Sequence, residues 1–273
     1  MRFDTRFLSL VGTFFVFLMA ASNTLAAASV LPSTQALALM VKEVSGQVNQ
    51  PLLPANVSPH DFSLKPSHIR RLQSAELVVW LGPELEPYLA KTMARIPAHQ
   101  QLIISNGGSS VEASYGQHPW TSPAYLLQGI NQLSQRLGIK RDHSTWLETM
   151  GQLQVELARH VQQLTNKGQG YVIYHDGLDG FEVFFDMAHL ASFTGADDQA
   201  PGAKRLASIA QLAQEAKVAC ILVDHEVNHK LVDAVLGPEI KRIQIDILAA
   251  NSASLTEYIT RLQQALLSCG RAL

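Results

Sequence analysis

The chain has 273 residues, 47% of them hydrophobic and 16% charged, with a formal net charge of −2. That content can bury one substantial core or two smaller ones, so one or two domains are both open. Acidic and basic residues are interleaved, leaving no basic face for nucleic acid and no long acidic tail, which sets nucleic-acid partners aside.

At the amino terminus, Arg2 and Arg6 precede an apolar run over 7–21 that gives way to the small residues of ASNTLAAAS. This pattern reads as a signal peptide cleaved near 26–29 at an A-x-A site. The run falls short of the roughly 20 residues a membrane span needs. Residues 1–28 are therefore excluded from the fold, and the protein is expected to be exported. An uncleaved anchor, lengthened through 25–28, is the alternative.

Beyond it, short β-rich runs alternate with helix-period segments, and the pattern occurs twice. In the first half, strands are expected near 28–31, 50–53, 77–81 and 101–105, with helices in STQALALMVKEVSG, after Lys65-Pro66-Ser67, and in GPELEPYLAKTMAR. Ser122 can cap a further helix that Pro123 opens. The stretch 141–170 reads as one helix of more than twenty residues. Thr145 and Glu148 form a capping box there, and Leu147, Met150, Leu153, Leu157, Val161 and Leu164 fall on one stripe.

In the second half, strands are expected near 171–174, 190–194, 220–223 and 243–247, with helices in PGAKRLASIAQLAQEA and HKLVDAVLG. A last helix in NSASLTEYITRLQQALLSCG starts at a Ser254/Glu257 capping box. Such alternation implies parallel sheets covered by helices. The expected fold is α/β, with two lobes, each a four-stranded and mainly parallel sheet flanked by helices. Residues 29–139 form the first lobe, 140–168 a linking helix, and 169–273 the second lobe. In an exported protein two cysteines, Cys220 and Cys269, are expected to pair, though two inert buried thiols would also fit.

Ligands of α/β sheets bind beyond the carboxyl ends of the strands. The polar residues expected there are His60 after the second strand, His118 after the fourth, His175 at the end of the run 171–174, and Asp246 near the end of the last strand. Three imidazoles and a carboxylate would make a tetrahedral nitrogen/oxygen site, which suits zinc, whereas manganese prefers more oxygen ligands. The chain has no HExxH and no CxxC, so spacing alone carries no metal signature.

At SPHDFSLKPSHIRRLQSAELVVWLGPELEPYL the sequence resembles the solute-binding proteins of zinc ABC importers, the cluster A-I metal-binding family. The likeness continues at HPWTSPAYLL, YHDGLDGFEVFF and PGAKRLASIAQLAQEAKVACILVDHE, and in the terminal helix with its cysteine. It implies two α/β lobes bridged by a rigid helix, with Zn(II) held in the cleft as transported ligand. The protein would be a periplasmic monomer and not an enzyme, and would deliver its ion to the transmembrane permease of an ABC transporter. Carried over by position, the ligands are His60, His118 and His175, with Asp246 in the place of the family's frequent carboxylate. Histidine in the third position goes with zinc over manganese, and Cys220 and Cys269 match the disulfide of periplasmic zinc members.

Two departures stand out. The histidine-rich loop of many zinc members is replaced by SNGGSSVEASYGQ, which has no histidine, and the surroundings of Asp246 read IDILAAN. A water or a neighbouring acid is the alternative fourth ligand. His225 and His229 would share a helix face if helical, as an accessory metal site or a solvated face. Trp80 is expected in the core, at most as a wall of the cleft, and Trp120, next to His118, either excludes water from the site or simply packs. Glu182 is read as a surface acid or an outer partner, and Asp61 and Asp176 as carboxylates able to orient an imidazole. The rival functions are an exported zinc hydrolase, which would use a ligated water, and a metal-binding adhesin on the same scaffold.

Overall fold

A computed structural model describes residues 29–57, 59, 62–104, 116–140, 142–195 and 199–270. The expected signal peptide, His60, Asp61 and residues 105–115 lie outside them. In the first half the elements are β1 (Val30–Pro32), α1 (Gln35–Ser45), α2 (Pro66–Ser74), β2 (Leu77–Trp80), α3 (Pro87–Met93), β3 (Gln101–Ile103) and α4 (Pro123–Leu137). The strands form a parallel sheet in the order β1-β2-β3, with Leu31 opposite Val78 and Val79 opposite Leu102. Thr34 caps α1 by accepting from the Leu37 N–H. Ser122 likewise caps α4 ahead of Pro123 by accepting from the Tyr125 N–H.

This sheet has three strands among the described residues, where four were expected. Residues 50–53 run past the carboxyl end of β1, and only the N–H groups of Leu52 and Leu53 donate to it, to the Pro32 and Ser33 carbonyls at 2.8 and 2.9 Å. Pro51 and Pro54 bracket these two residues and have no N–H to offer, so the pairing cannot lengthen into a strand.

The second half runs α5 (Ser144–Asn166), β4 (Gly170–His175), α6 (Asp179–Phe185), β5 (Ala191–Thr194), α7 (Ala203–Gln214), β6 (Val218–Val223), α8 (His229–Leu236), β7 (Arg242–Gln244) and α9 (Leu255–Leu267). Its four strands are all parallel, in the order β5-β4-β6-β7. Cys220 on β6 is bonded to Cys269, just beyond α9, across 5.4 Å between Cα atoms. Ser254 caps α9 by accepting from the Glu257 N–H, while the Glu257 carboxylate reaches back to the Ala253 N–H.

Alternation along the strands sorts side chains between two environments. Leu77 and Val79 of β2, Tyr171 and Ile173 of β4, and Cys220 and Leu222 of β6 all join one apolar cluster that also takes in α1, α4, α5 and α9. Their neighbours Val78 and Trp80 face a cluster under α2 and α3. Val172, Tyr174, Ile221 and Val223 face another under α7 and α8. One continuous core thus spans both sheets, and the lobes cannot part without exposing it.

Helix α5 connects the halves and lies against α6, α9 and β4. Of its expected stripe, Met150, Leu153, Leu157 and Leu164 are buried, but Leu147 is exposed and Trp146 takes its place inside. The expected Thr145/Glu148 capping box does not form, because the helix begins two residues earlier, at Ser144, which puts Thr145 inside the first turn; the Asp142 carboxylate accepts from the Ser144 N–H. Among the described residues no helix is long and apolar enough to cross a membrane.

Candidate metal centre

His175 is the last residue of β4, buried at 6% exposure, and its carbonyl accepts from the Gly177 N–H at 2.9 Å. A Cβ at Gly177 would stand 2.9 Å from both the His175 ring and Ile247, so this glycine leaves the space in which the imidazole lies. His118 opens the 3₁₀ turn Pro119–Thr121 that leads into α4. The Thr121 N–H and hydroxyl both donate to the His118 carbonyl, at 3.0 and 2.9 Å, fixing the backbone from which the ring projects. His118 is 2% exposed.

These two histidines, 57 residues apart, bring their Nε2 atoms to 3.2 Å, with ring centroids 4.8 Å apart and ring planes nearly perpendicular. Two zinc-bound nitrogens at bond lengths of about 2.0–2.1 Å in a tetrahedron stand about 3.3–3.4 Å from each other. The observed separation is therefore close to that of two imidazoles sharing one ion. It equally permits one ring to donate to the other, depending on the tautomer.

Asp246 lies past the end of β7, in a turn held by its own carboxylate: one oxygen accepts from the Ala250 N–H at 2.9 Å and the other from the Asn251 N–H at 2.7 Å. Each oxygen keeps a further lone pair. His118, His175 and Asp246 line one cavity of about 340 Å³, together with Asp224, His225 and Arg261. The structure therefore brings His118 and His175 into contact and sets Asp246 on the same wall. His60 lies outside the described residues, and among the described residues no three His, Cys, Asp or Glu side chains gather tightly enough to hold an ion. The cavity is far larger than a bare cation, so water or further protein atoms complete any coordination shell.

Trp120 is buried beside His118, its ring edge-on to the imidazole with centroids 5.2 Å apart. Its indole N–H donates to the Ile247 carbonyl at 2.9 Å, and the buried Tyr258 hydroxyl donates to the same oxygen at 2.8 Å. Trp80 is core, as expected.

Behind the histidines is a buried network that the sequence did not reveal. Glu182 is 5% exposed, which overturns the surface-acid alternative of its two readings. It accepts from the Tyr171 hydroxyl and holds His189 Nδ1 at 2.9 and 3.0 Å. Burial opposes a charge on His189, yet the hydrogen bond and charge of Glu182, with Asp176 and Asp179, raise its pKa. Burial and then the charges of Asp176 and Glu182 push the Asp179 carboxyl up to about 6. Asp176 turns towards Ser192 and His189, so its described contacts do not orient the His175 ring. In the first lobe the buried Glu86 has a comparable structural part. It accepts from Ser33, Leu81 N–H and Tyr88, tying together the ends of β1 and β2, while burial raises its pKa.

His225 and His229 do not share a helix face: His225 lies in the turn after β6, 3.7 Å from Glu226, while His229 is the first residue of α8. Asn228, which accepts from the Leu231 N–H, starts the helix between them.

A model of the family described as zinc-uptake complex component A, periplasmic, matches residues 30–268. The chain is 26% identical to the high-affinity zinc uptake system protein ZnuA of Yersinia pestis, over 92% of this chain and 94% of that protein. To the protein of the same name from Haemophilus ducreyi it is 28% identical, over 88% and 92%. Among solved structures, the periplasmic zinc binding protein TroA from Treponema pallidum matches with a TM-score of 0.68 at 17% identity, covering 90% of this chain and 99% of that one. A crystal structure of ZnuA matches with a TM-score of 0.69, also at 17% identity, covering 90% and 100%. At such identities the structural likeness is one of fold.

Proposed function

The chain belongs to the family of periplasmic zinc-uptake component A, and from that membership we propose that it captures Zn(II) in the periplasm and delivers it to the membrane permease of an ABC transporter. The relatives named as high-affinity zinc uptake proteins, matched along most of their length, support the role. The observation that carries the site is the 3.2 Å approach of His118 Nε2 to His175 Nε2 in a buried cleft.

In this reading His60, His118 and His175 bind the ion, and Asp246 or a water takes the fourth position. The protein acts as a monomer after removal of its signal peptide, and zinc is cargo rather than a resident cofactor. Residues 29–139 and 169–273 are the two lobes, with 140–168 linking them.

Imidazole ligates only when neutral, and its reference pKa is about 6.5, so zinc binding displaces protons and weakens as the medium acidifies. Ligands drawn from separate segments make the bound ion favour one arrangement of the lobes. The core that spans both sheets keeps that rearrangement small. X-ray absorption of the one-to-one zinc complex tests the site: imidazole scattering with zinc–nitrogen distances of about 2.0–2.1 Å is expected. A shell of oxygen alone would contradict it.

A further inference from the structure

We propose that the Trp120 indole is an interlobe latch that positions the metal ligands before the ion arrives; this rests on the zinc-binding reading above. Trp120 follows His118 by two residues, in the turn that leads into α4, and α4 packs on α1 of the first lobe. Ile247 follows Asp246 by one residue in the second lobe. The 2.9 Å hydrogen bond from Trp120 Nε1 to the Ile247 carbonyl therefore joins the backbone next to one ligand to the backbone next to another, across 127 residues of chain.

Three further features make this bond a positioning device. The acceptor is itself held, because Tyr258 of α9 donates to the same carbonyl at 2.8 Å from within the second lobe. The indole is only 2% exposed, so water cannot replace the bond cheaply if it opens. Finally, the Trp120 ring meets His118 edge-on at 5.2 Å, and His118 in turn meets His175 at 4.8 Å, so a shift of the indole moves the first imidazole against the second. A site that is populated in its binding arrangement only part of the time binds more weakly by that fraction. The latch keeps the fraction near one.

The test compares Trp120→Phe, which keeps a buried ring and removes the donor, with Trp80→Phe, which makes the same truncation in the separate cluster under α2 and α3. Zinc affinity is measured by competition with a chromophoric chelator, and zinc dissociation by stopped flow. For Trp120→Phe a roughly tenfold loss of affinity is expected, with one equivalent still bound; for Trp80→Phe, affinity within about twofold of the parent at a comparable loss of melting temperature. Unchanged affinity in Trp120→Phe, or an equal loss in both variants, would overturn the latch, since the second result is what general destabilisation produces.

Should Trp120→Phe fail to fold, hydrogen exchange at the indole N–H groups of the parent decides the matter. Trp120 is assigned by difference from Trp80→Phe and Trp146→Phe. Slow exchange at Trp120 both without and with zinc is expected, and fast exchange without zinc would refute the proposal. A parent protein that takes up no zinc would remove the zinc reading, while the exchange experiment would still report on the interlobe bond.

Discussion

Replacing Asp179 by asparagine should stabilise the metal-stripped protein at neutral pH and leave it unchanged in acid. Asp179 opens α6, half-buried, with the carboxylates of Asp176 and Glu182 nearby, and its pKa is raised from 3.8 to about 6. A rise of that size corresponds to about 3 kcal/mol between the two protonation states. Because the group is only partly buried, solvent screening reduces this to ~1–1.5 kcal/mol. Below about pH 3.8 the carboxyl is protonated in both the folded and the unfolded chain, so it contributes no penalty. As pH rises the unfolded chain releases the proton first, and stability is lost until about pH 6, where the folded form ionises too. Asparagine keeps the shape beside Gly116, whose added Cβ would meet the carboxyl of Asp179, and carries no titration. Urea unfolding at pH 7.5 should therefore show the variant ahead by ~1–1.5 kcal/mol, and at pH 3.5 the two should coincide within error. A difference of the same size at both pH values would refute the electrostatic account.

Replacing both Cys220 and Cys269 by alanine opens a loop closed over a separation of 49 residues, and chain entropy predicts a loss of about 4 kcal/mol in denaturant unfolding. A loss below about 1 kcal/mol would mean that α9 is held by its packing alone. Gly180→Ala adds a Cβ 3.0 Å from Ser122 Cβ and Thr121 Oγ1. The helix gains about 1 kcal/mol from alanine, but overpacking costs about 1–3 kcal/mol, so a net destabilisation is expected. Zinc affinity should weaken with it, since Thr121 is bonded to the His118 carbonyl. An unaltered melting point with unaltered affinity would show that the turn after His118 yields freely.

Much of the fold was legible because it obeys local rules. The continuous apolar runs of β2, β4 and β6 are buried on both faces, as parallel strands between helix layers must be. The capping serines Ser122 and Ser254 were visible for the same reason. The failures came where tertiary contacts decide. Residues 50–53 were expected as a strand, but Pro51 and Pro54 confine the pairing to Leu52 and Leu53 at the end of β1. At the start of α5, the helix already begins at Ser144, whose N–H donates to Asp142, so Thr145 is not at the cap. Helix α6, in DGFEVFF, is only seven residues long and was not among the expected helices.

The candidate site was legible as a set of residue types at strand ends, and its meaning came from the family resemblance. The structure brings the Nε2 atoms of His118 and His175 to 3.2 Å, and their role as ligands is the proposal made above. The tie from Trp120 to Ile247 left no trace in the sequence, because it depends on a backbone carbonyl 127 residues away. Glu182 was left between a surface acid and an outer partner because nothing local reveals that Tyr171 and His189 close over it.

The most direct measurement is a calorimetric titration of metal-stripped protein with zinc, run beside His118→Ala and His175→Ala. The parent should take up one equivalent, with fewer protons released by each variant, and each variant should bind at least about a hundredfold more weakly, because second partners of bound metals alone already cost 10–100-fold. A variant that still binds one zinc as tightly as the parent would show that these two buried imidazoles do not hold the ion.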